Sequence, residues 1–395
     1  MSKKGKYQKE TPKKPLGWKK ILLIVLAAVI VVVGVAAALG WNYFKGLIGN
    51  IRQAEYQENE LSQEELEAIL GGTVGTVPPE EETSEATTEP TTEATTEPTT
   101  AATEPDYGEL GKLINIMVVG QSYREGEDSK LSDTMILCTL NRETNTLTMT
   151  SFLRDSYVQL PNYKGHTCGK QRINVAYNLG YKWAGDLGGM EMFSMCIYNN
   201  FGVEVDYTIE VDFTALLASV NKLGGVEIEL DADEAKYLTE SDHCKGEFVE
   251  GVNRLKGDAA LAYARMRHAT NVDNDFNRTA RQRKLITQMI KQIMSLSLSE
   301  IDDLLKYILP MILTDMPEDV ILEMVKIAVP MLPKLTIEGN QCPYGDTYKG
   351  IIVNIGGYDA GVMDVNTYAN KIILTAIAED GKSLEEAVAL YEGMK

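Results

Sequence analysis

The chain is expected to be an α/β protein: a mixed β-sheet flanked by helices on both faces, preceded by one transmembrane helix and a disordered linker. Three observations predict this. Residues 107–395 alternate short strand-like runs with helix-period segments. Residues 21–40 read ILLIVLAAVIVVVGVAAALG, without a charge. Residues 71–106 are rich in Thr, Glu and Pro and nearly devoid of large apolar side chains.

Taken in order, residues 1–20 carry eight lysines against Glu10 alone, so they are expected to be a basic cytoplasmic tail under the positive-inside rule. Residues 21–40 are long enough to cross the bilayer core as one helix. A secretory signal peptide is the alternative, with Ala36, Ala37 and Ala38 as a peptidase site, but its apolar core is ordinarily shorter. Trp18, Trp41 and Tyr43 flank the span as interfacial aromatics. Residues 41–70 form a polar juxtamembrane segment expected to be helical, ending at Ser62 to Leu70. The 71–106 linker nearly repeats EATTEPTT. In an extended form it would reach on the order of 100 Å and hold the following domain away from the membrane or let it sweep the surface. A solvated linker is the simplest reading, and glycosylation of its threonines is the alternative.

One extracytoplasmic domain is expected over 107–395, with a core at 107–295 and a C-terminal extension at 296–395. Strands are expected at Leu113 to Val119, Thr134 to Leu140 and Thr146 to Phe152, the last two joined as a hairpin through Asn141-Arg142-Glu143-Thr144-Asn145. Further strands are expected at Tyr207 to Asp212 and Gly225 to Leu230, and AALAYARMR is read as another. Helices are expected at Asn174 to Trp183, Gly189 to Phe201 and Phe213 to Leu223. Arg278 to Met294 is expected to be helical too, with Leu285, Ile286, Met289, Ile290 and Ile293 as its apolar stripe. GIIVNIGGYDAG is expected to be a strand and turn, and Val365 to Ala378 a closing helix. The proline-punctuated helices after Leu298 are assigned to core packing, with a lipid-facing surface as the alternative.

The chain is acidic, with a formal net charge of −19, yet six of its eleven arginines fall between Arg254 and Arg283. A multi-oxygen anion explains such clustering, because the planar guanidinium fork matches phosphate geometry and keeps its charge. In a strand, Tyr263, Arg265 and Arg267 would share a face. In the following helix Arg278, Arg281 and Gln282 share one at i, i+3 and i+4. Together they would line a pyrophosphate-sized pocket beside a helix N-terminus. The alternative is a set of solvated arginines paired with the many carboxylates. Asp133 in Ser132-Asp133-Thr134 and the Arg154-Asp155 pair stand at strand ends where they could reach a cation or an anion, or merely cap turns.

The five cysteines show no metal spacing. Cys168 and Cys244, both in expected loops, are the candidates for a disulfide, and Cys138 reads as core. His166, His243 and His268 are too scattered for a metal site. No glycine-rich phosphate loop or nucleophile elbow appears. The negative domain argues against nucleic acid as a partner.

In sequence, NIMVVG (115–120), SDT (132–134), LRDSYVQLP (153–161), RINVAYNLG (172–180), VDYTIEVDF (205–213), LGGVEIEL (223–230), GVNRLKGDAALAYARMR (251–267) and DFNRTARQRK (275–284) resemble the LytR-CpsA-Psr family. The resemblance implies a membrane-anchored phosphotransferase of Gram-positive type, with its N-terminus cytoplasmic and its main domain outside. It would move a glycan phosphate from an undecaprenyl-pyrophosphate carrier to a peptidoglycan hydroxyl, usually with Mg²⁺. By position it implies that Arg154, Arg265, Arg267, Arg278 and Gln282 bind pyrophosphate and that Asp133 is a metal ligand. It also implies that Asp275 orients arginines or moves a proton, with Arg154 and Arg265 in the catalytic set. The chain departs from the family pattern at Gln121, where an Asp is usual and only an amide carbonyl is left for the metal, and at Leu131, where an Arg is usual and Lys130 stands beside it. A noncatalytic lipid or wall-polymer scaffold, and a polyprenyl-pyrophosphate hydrolase, are the alternatives. A polyprenyl tail would also need an apolar tunnel beside the sheet.

Overall fold

The computed structural model describes residues 41–70, 75–76, 108, 110–121, 130–267, 275–293, 296–331 and 334–395. The apolar stretch at 21–40 lies outside them, as does nearly all of the linker. No described helix is long and apolar enough to cross a membrane.

The centre is a seven-stranded sheet with strand order β1-β12-β9-β3-β4-β5-β13, using β1 (Arg52–Gln53), β3 (Leu113–Gln121), β4 (Ser132–Asn141), β5 (Thr146–Phe152), β9 (Tyr207–Asp212), β12 (Ile312–Thr314) and β13 (Thr336–Cys342). Strand β3 runs antiparallel to β4 and parallel to β9, and β5 is antiparallel to β4 and parallel to β13, so the sheet is mixed. Both of its faces are buried, and the period of two divides each strand's side chains between two cores. Ile114, Ile116, Val118, Ile136, Cys138 and Leu140 enter one core, while Met117, Val119, Met135 and Leu137 enter the other.

The first core is covered by α4 (Phe213–Lys222), α6 (Gly257–Arg265), α7 (Asp275–Ile293), α8 (Leu298–Ile308) and α9 (Glu318–Met331). The second is covered by α2 (Gln63–Leu70), α3 (Val175–Phe201), α10 (Thr367–Ala378) and α11 (Leu384–Glu392). Helix α3 joins the two helices expected there and breaks between them, at Ala184 and Gly185, where Gly185 takes φ 68°. Smaller sheets pair β2 (Gly75–Thr76) with β7 (His166–Thr167), and β10 (Val226–Leu230) with β11 (Gly251–Leu255) around α5 (Ala232–Glu240). The last sheet joins β6 (Ser156–Gln159) and β8 (Lys170–Arg172) to a hairpin of β14 (Tyr348–Ile355) and β15 (Tyr358–Val365).

Three expectations are corrected. The run AALAYARMR is not a strand: Gly257–Arg265 is helix α6, because four alanines in nine residues give it the strongest helix propensity available. Its face toward the core is built from Ala259, Ala260, Tyr263 and Ala264. Tyr263 is therefore buried away from Arg265, which is exposed at the helix's last turn.

Cys168 and Cys244 do not pair. All five cysteines are buried free thiols, and these two belong to opposite cores, with the sheet between them.

The juxtamembrane segment is not one helix but an arm built into the domain. Helix α1 (Trp41–Ile48) buries Leu47 and Ile48 in the first core, and Tyr43 Oη donates to Asp302 Oδ1 of α8 at 2.9 Å. Strand β1 then adds to the sheet edge in parallel with β12. The Ala54 N–H donates to Thr314 O, and the Gln57 and Asn59 N–H groups donate to Ala184 and Trp183 carbonyls at the break in α3. Helix α2 buries Leu66 in the second core. The Thr/Glu/Pro-rich stretch is thus fixed to the same domain at β2, near its start, and at β3, just beyond its end.

Candidate functional site

Arg154 follows β5, Asp133 opens β4 and Asp275 opens α7. The fold brings these three starts and ends to one edge of the sheet. Arg154 Nη1 donates to Asp133 Oδ1 at 3.0 Å, and its Nε lies 3.6 Å from both Asp155 Oδ2 and Asp275 Oδ1. Arg278 Nη2 donates to Asp275 and to the Asp133 carbonyl oxygen, with 2.9 Å to Asp275 Oδ1 and 3.2 Å to Asp133 O. Arg172 Nη1 lies 3.7 Å from Asp155 Oδ1.

Arg267 reaches the same place from the chain beyond α6. It is half-buried, and its charge acts on both Asp275 and Arg278. Gln282 and Arg281 fasten this chain to α7: Gln282 Nε2 donates to Ala264 O, and Arg281 Nη1 to Met266 O. Arg265 is exposed at the last turn of α6, between Ala264 and Met266 in sequence. Arg154, Arg172 and Arg278 thus meet Asp133, Asp155 and Asp275 at one place, where the Arg267 charge also acts. Arg172 is the member that spacing did not reveal, since only the folding of β8 against β6 brings it in.

Burial dominates the electrostatics. The Arg278 side chain is only 3% exposed. Burial lowers its pKa to about 10, even though Asp275 opposes this. Burial likewise pushes the Asp275 carboxyl above the ordinary value, against the pull of Arg278 and then Arg154. The two shifts agree in sense: each group has lost water that its partner does not fully replace. Arg278 Nε, Arg154 Nε, Gln282 Oε1 and the Tyr263 hydroxyl are buried without a hydrogen-bond partner. Arg281 differs from its neighbour one turn away. Its Nε donates to Glu234 Oε1 at 2.9 Å in a closed, buried ion pair that fixes α7 to α5.

Beside this charged rim lies an apolar cavity of about 230 Å³ between the sheet and α4, α7, α8 and α9. Gly120, Thr134, Asp212 and Gln282 line its polar end, and Ile116, Leu285, Ile286, Met289, Ile308 and Met324 are among its apolar walls. Thr134 follows Asp133 and Gln282 lies one turn past Arg278, so rim and cavity are contiguous. Ile51 of the N-terminal arm also lines the cavity, as do Ile312 and Met316 of the C-terminal extension. The C-terminal extension serves as core and cavity wall.

Among the described residues, no cluster of three or more His, Cys, Asp or Glu side chains is arranged to hold a metal ion. The donor set still fits Mg²⁺ of the kind bound by one carboxylate, water and ligand phosphates, with Asp133 as the carboxylate. The Gln121 side chain is fully buried. Oriented to satisfy its neighbours, its amide nitrogen donates to Lys130 O at 2.9 Å and Leu131 O at 3.2 Å. It thereby shapes the approach to β4. Lys130 is engaged on the other face, donating to Asp186 Oδ1 at 2.7 Å and to Glu210. Of the histidines, His166 stacks on Trp183, His243 is exposed and His268 lies outside the described residues.

Comparison with known proteins places this geometry. The chain is 31% identical over 214 residues to the polyisoprenyl-teichoic acid–peptidoglycan teichoic acid transferase TagU of Bacillus anthracis, covering 54% of this chain and 64% of that protein. It is 33% identical over 189 residues to TagT of Bacillus subtilis, a transferase of the same name, covering 46% and 53%. The matches span less than two thirds of these relatives' length. The crystal structure of protein gbs0355 from Streptococcus agalactiae is similar with a TM-score of 0.53 and 25% identity, covering 68% of this chain and 88% of that one. The LytR_cpsA_psr family model matches residues 79–365, and the chain belongs to the LytR-CpsA-Psr family.

Proposed function

We propose that this protein is a membrane-anchored phosphotransferase that attaches an undecaprenyl-pyrophosphate-linked glycopolymer to peptidoglycan. The observation that carries the reading is the junction of an arginine-rich rim with an apolar cavity at Gln282. A polyprenyl pyrophosphate has this same division, one end a multi-oxygen anion and the other pure hydrocarbon. The relatives' printed activity, teichoic acid transfer from a polyisoprenyl carrier to peptidoglycan, supports it.

In this reading Arg154, Arg265, Arg267, Arg278 and Gln282 hold the pyrophosphate, and the prenyl chain enters the cavity. An acceptor hydroxyl of peptidoglycan forms a bond to the glycan-side phosphorus. The bond from that phosphorus to the bridging oxygen breaks, and polyprenyl phosphate leaves. Asp275, beside Arg154 and Arg278, accepts the hydroxyl proton. The guanidinium groups stabilise the charge that builds on the phosphoryl oxygens and leaving phosphate, so positioning and electrostatics do most of the work. Mg²⁺ held through Asp133 and the ligand's phosphates would add a further point of charge neutralisation. The lysine-rich start and the apolar 21–40 stretch support one span with the domain outside the cell.

The test uses the full-length chain in detergent micelles, a labelled undecaprenyl-pyrophosphate glycan and peptidoglycan fragments, with and without Mg²⁺. Acceptor-dependent transfer that Arg278→Ala abolishes is the expected result. Label released only to water would make the protein a hydrolase, and Arg278-dependent binding without turnover would make it a scaffold.

A further inference from the structure

Arg283 stands apart from the rim. At about 100° per residue it lies roughly 140° around α7 from Arg278, turned toward β5 and β13. Its Nη1 donates to Ser151 Oγ at 2.5 Å. Among the described residues no carboxylate lies within ion-pair distance of it, whereas Arg154, Arg172, Arg254, Arg278 and Arg281 each have one. A largely desolvated cation without a counterion is costly in a folded protein, and burial alone lowers this guanidinium to about 10.

Arg283 lies beside β13, the edge strand of the sheet. Opposite it β13 carries Gly339, which is exposed. A side chain begun there would meet only Arg283 within 4 Å, its Cδ and Nε at 3.4 Å. Two residues along, and so on the same face of β13, the half-buried Gln341 side chain accepts from Thr279 Oγ1 at 3.5 Å through Oε1, which leaves its amide nitrogen as a donor. A guanidinium and an amide beside an exposed glycine are donors of the kind an oxyanion needs.

We propose that Arg283, held by Ser151, and the Gln341 amide beside Gly339 form a second oxyanion subsite that takes a phosphodiester from the polymer part of the ligand whose pyrophosphate sits at the rim. This rests on the proposed transferase reading. The subsite would make the protein selective for a phosphate-bearing polymer over a neutral glycan, and would guide the polymer out along the β13 edge.

The experiment measures binding of three probes to the full-length chain in micelles: inorganic pyrophosphate, inorganic phosphate and a soluble glycerol-phosphate oligomer. Arg283→Met, which keeps the apolar stem, is expected to weaken oligomer binding roughly ten- to hundredfold while pyrophosphate binding is unchanged. Arg283→Lys should retain part of the affinity. Gly339→Leu, which covers Arg283 without removing the charge, should weaken the oligomer as well.

Wild-type oligomer affinity in a folded Arg283→Met variant would overturn the proposal and leave Arg283 a structural side chain. Equal loss of pyrophosphate and oligomer would overturn it too, by making Arg283 part of the rim. Arg283-dependent binding of inorganic phosphate as tight as that of the oligomer would overturn the polymer assignment. If the wild-type chain bound no pyrophosphate, the transferase reading would fail, and the oligomer result would judge the subsite separately.

Discussion

The rim and the cavity are adjacent but are stabilised in opposite ways. At the rim, Arg154, Arg172 and Arg278 face Asp133, Asp155 and Asp275 at 2.9 to 3.7 Å, and several buried donors remain unpartnered. In the cavity almost every wall atom is hydrocarbon, and stability comes from area removed from water, with no directional demand. Helix α7 serves both regions: its first two turns present Asp275, Arg278 and Gln282, and the next three present Leu285, Ile286, Met289 and Ile293. Rim substitutions should therefore act on chemistry and on pH, and cavity substitutions on which lipid is accepted.

The largest effect should come from Arg278→Ala. It leaves Asp275 buried without its shortest partner, which costs about 3–5 kcal/mol of stability. It also removes a charge from the transferred phosphoryl group, lowering transfer at least about a hundredfold. Arg278→Lys should recover part of the melting temperature and little of the rate, because a point charge cannot reproduce the fork. Equal recovery of both would mean the rim acts only through net charge.

A smaller, more selective effect is expected from Ile286→Trp, which occupies the cavity. The KM for a long-chain polyprenyl donor should rise about tenfold, with stability lowered by about 1–3 kcal/mol, and a donor with a short chain should be little affected. Loss of both donors alike would sink the division between rim and cavity. The acid limb of the pH-rate profile tests the rim next. Asp275 is held above its ordinary pKa by burial, so as pH falls it takes up a proton earlier than a free carboxylate would and can no longer accept one from the acceptor hydroxyl. Transfer by the wild type should decline on that side, and Asp275→Asn should be slow with a flat acid limb. A wild-type limb unchanged in Asp275→Asn would assign the titration to another group.

How far each region was legible follows from the physics that built it. Strands β3, β4, β5 and β9 and the helical stripe of α7 were readable, because period two and period 3.6 are properties of the local chain. The break in α3 was readable as the gap between two expected helices. Helix α6 was misread because a run of small residues suits a covered strand as well as a tightly packed helix, and alanine's helix preference decides between them. Arg154, Arg278, Asp133 and Asp275 were placed through family motifs, and the fold brings them together. Arg172 and the isolation of Arg283 depend on which strands become neighbours, which no local pattern specifies. The cavity and the docking of the 41–70 arm have the same origin: Ile51 becomes a cavity wall only when β1 pairs with β12.

Asp315, just after β12, gives the smallest and most specific test. Asp315 lies between Thr314 and Met316, two cavity-lining residues, and its Oδ1 accepts the Thr208 N–H at 2.7 Å. Burial raises its pKa from 3.8 to about 6, and the hydrogen bonds only partly offset this. A carboxyl whose folded pKa lies above its unfolded one binds its proton more tightly in the folded state. Its contribution to stability therefore falls as pH rises from about 4 to about 6, and the full cost, on the order of 2–3 kcal/mol, is present above that. Asp315→Asn keeps an oxygen for the Thr208 N–H and removes the charge. It should raise the melting temperature at pH 8 and leave it nearly unchanged at pH 4, with transfer activity retained. An equal shift at both pH values would show that the side chain acts through packing and not through its charge.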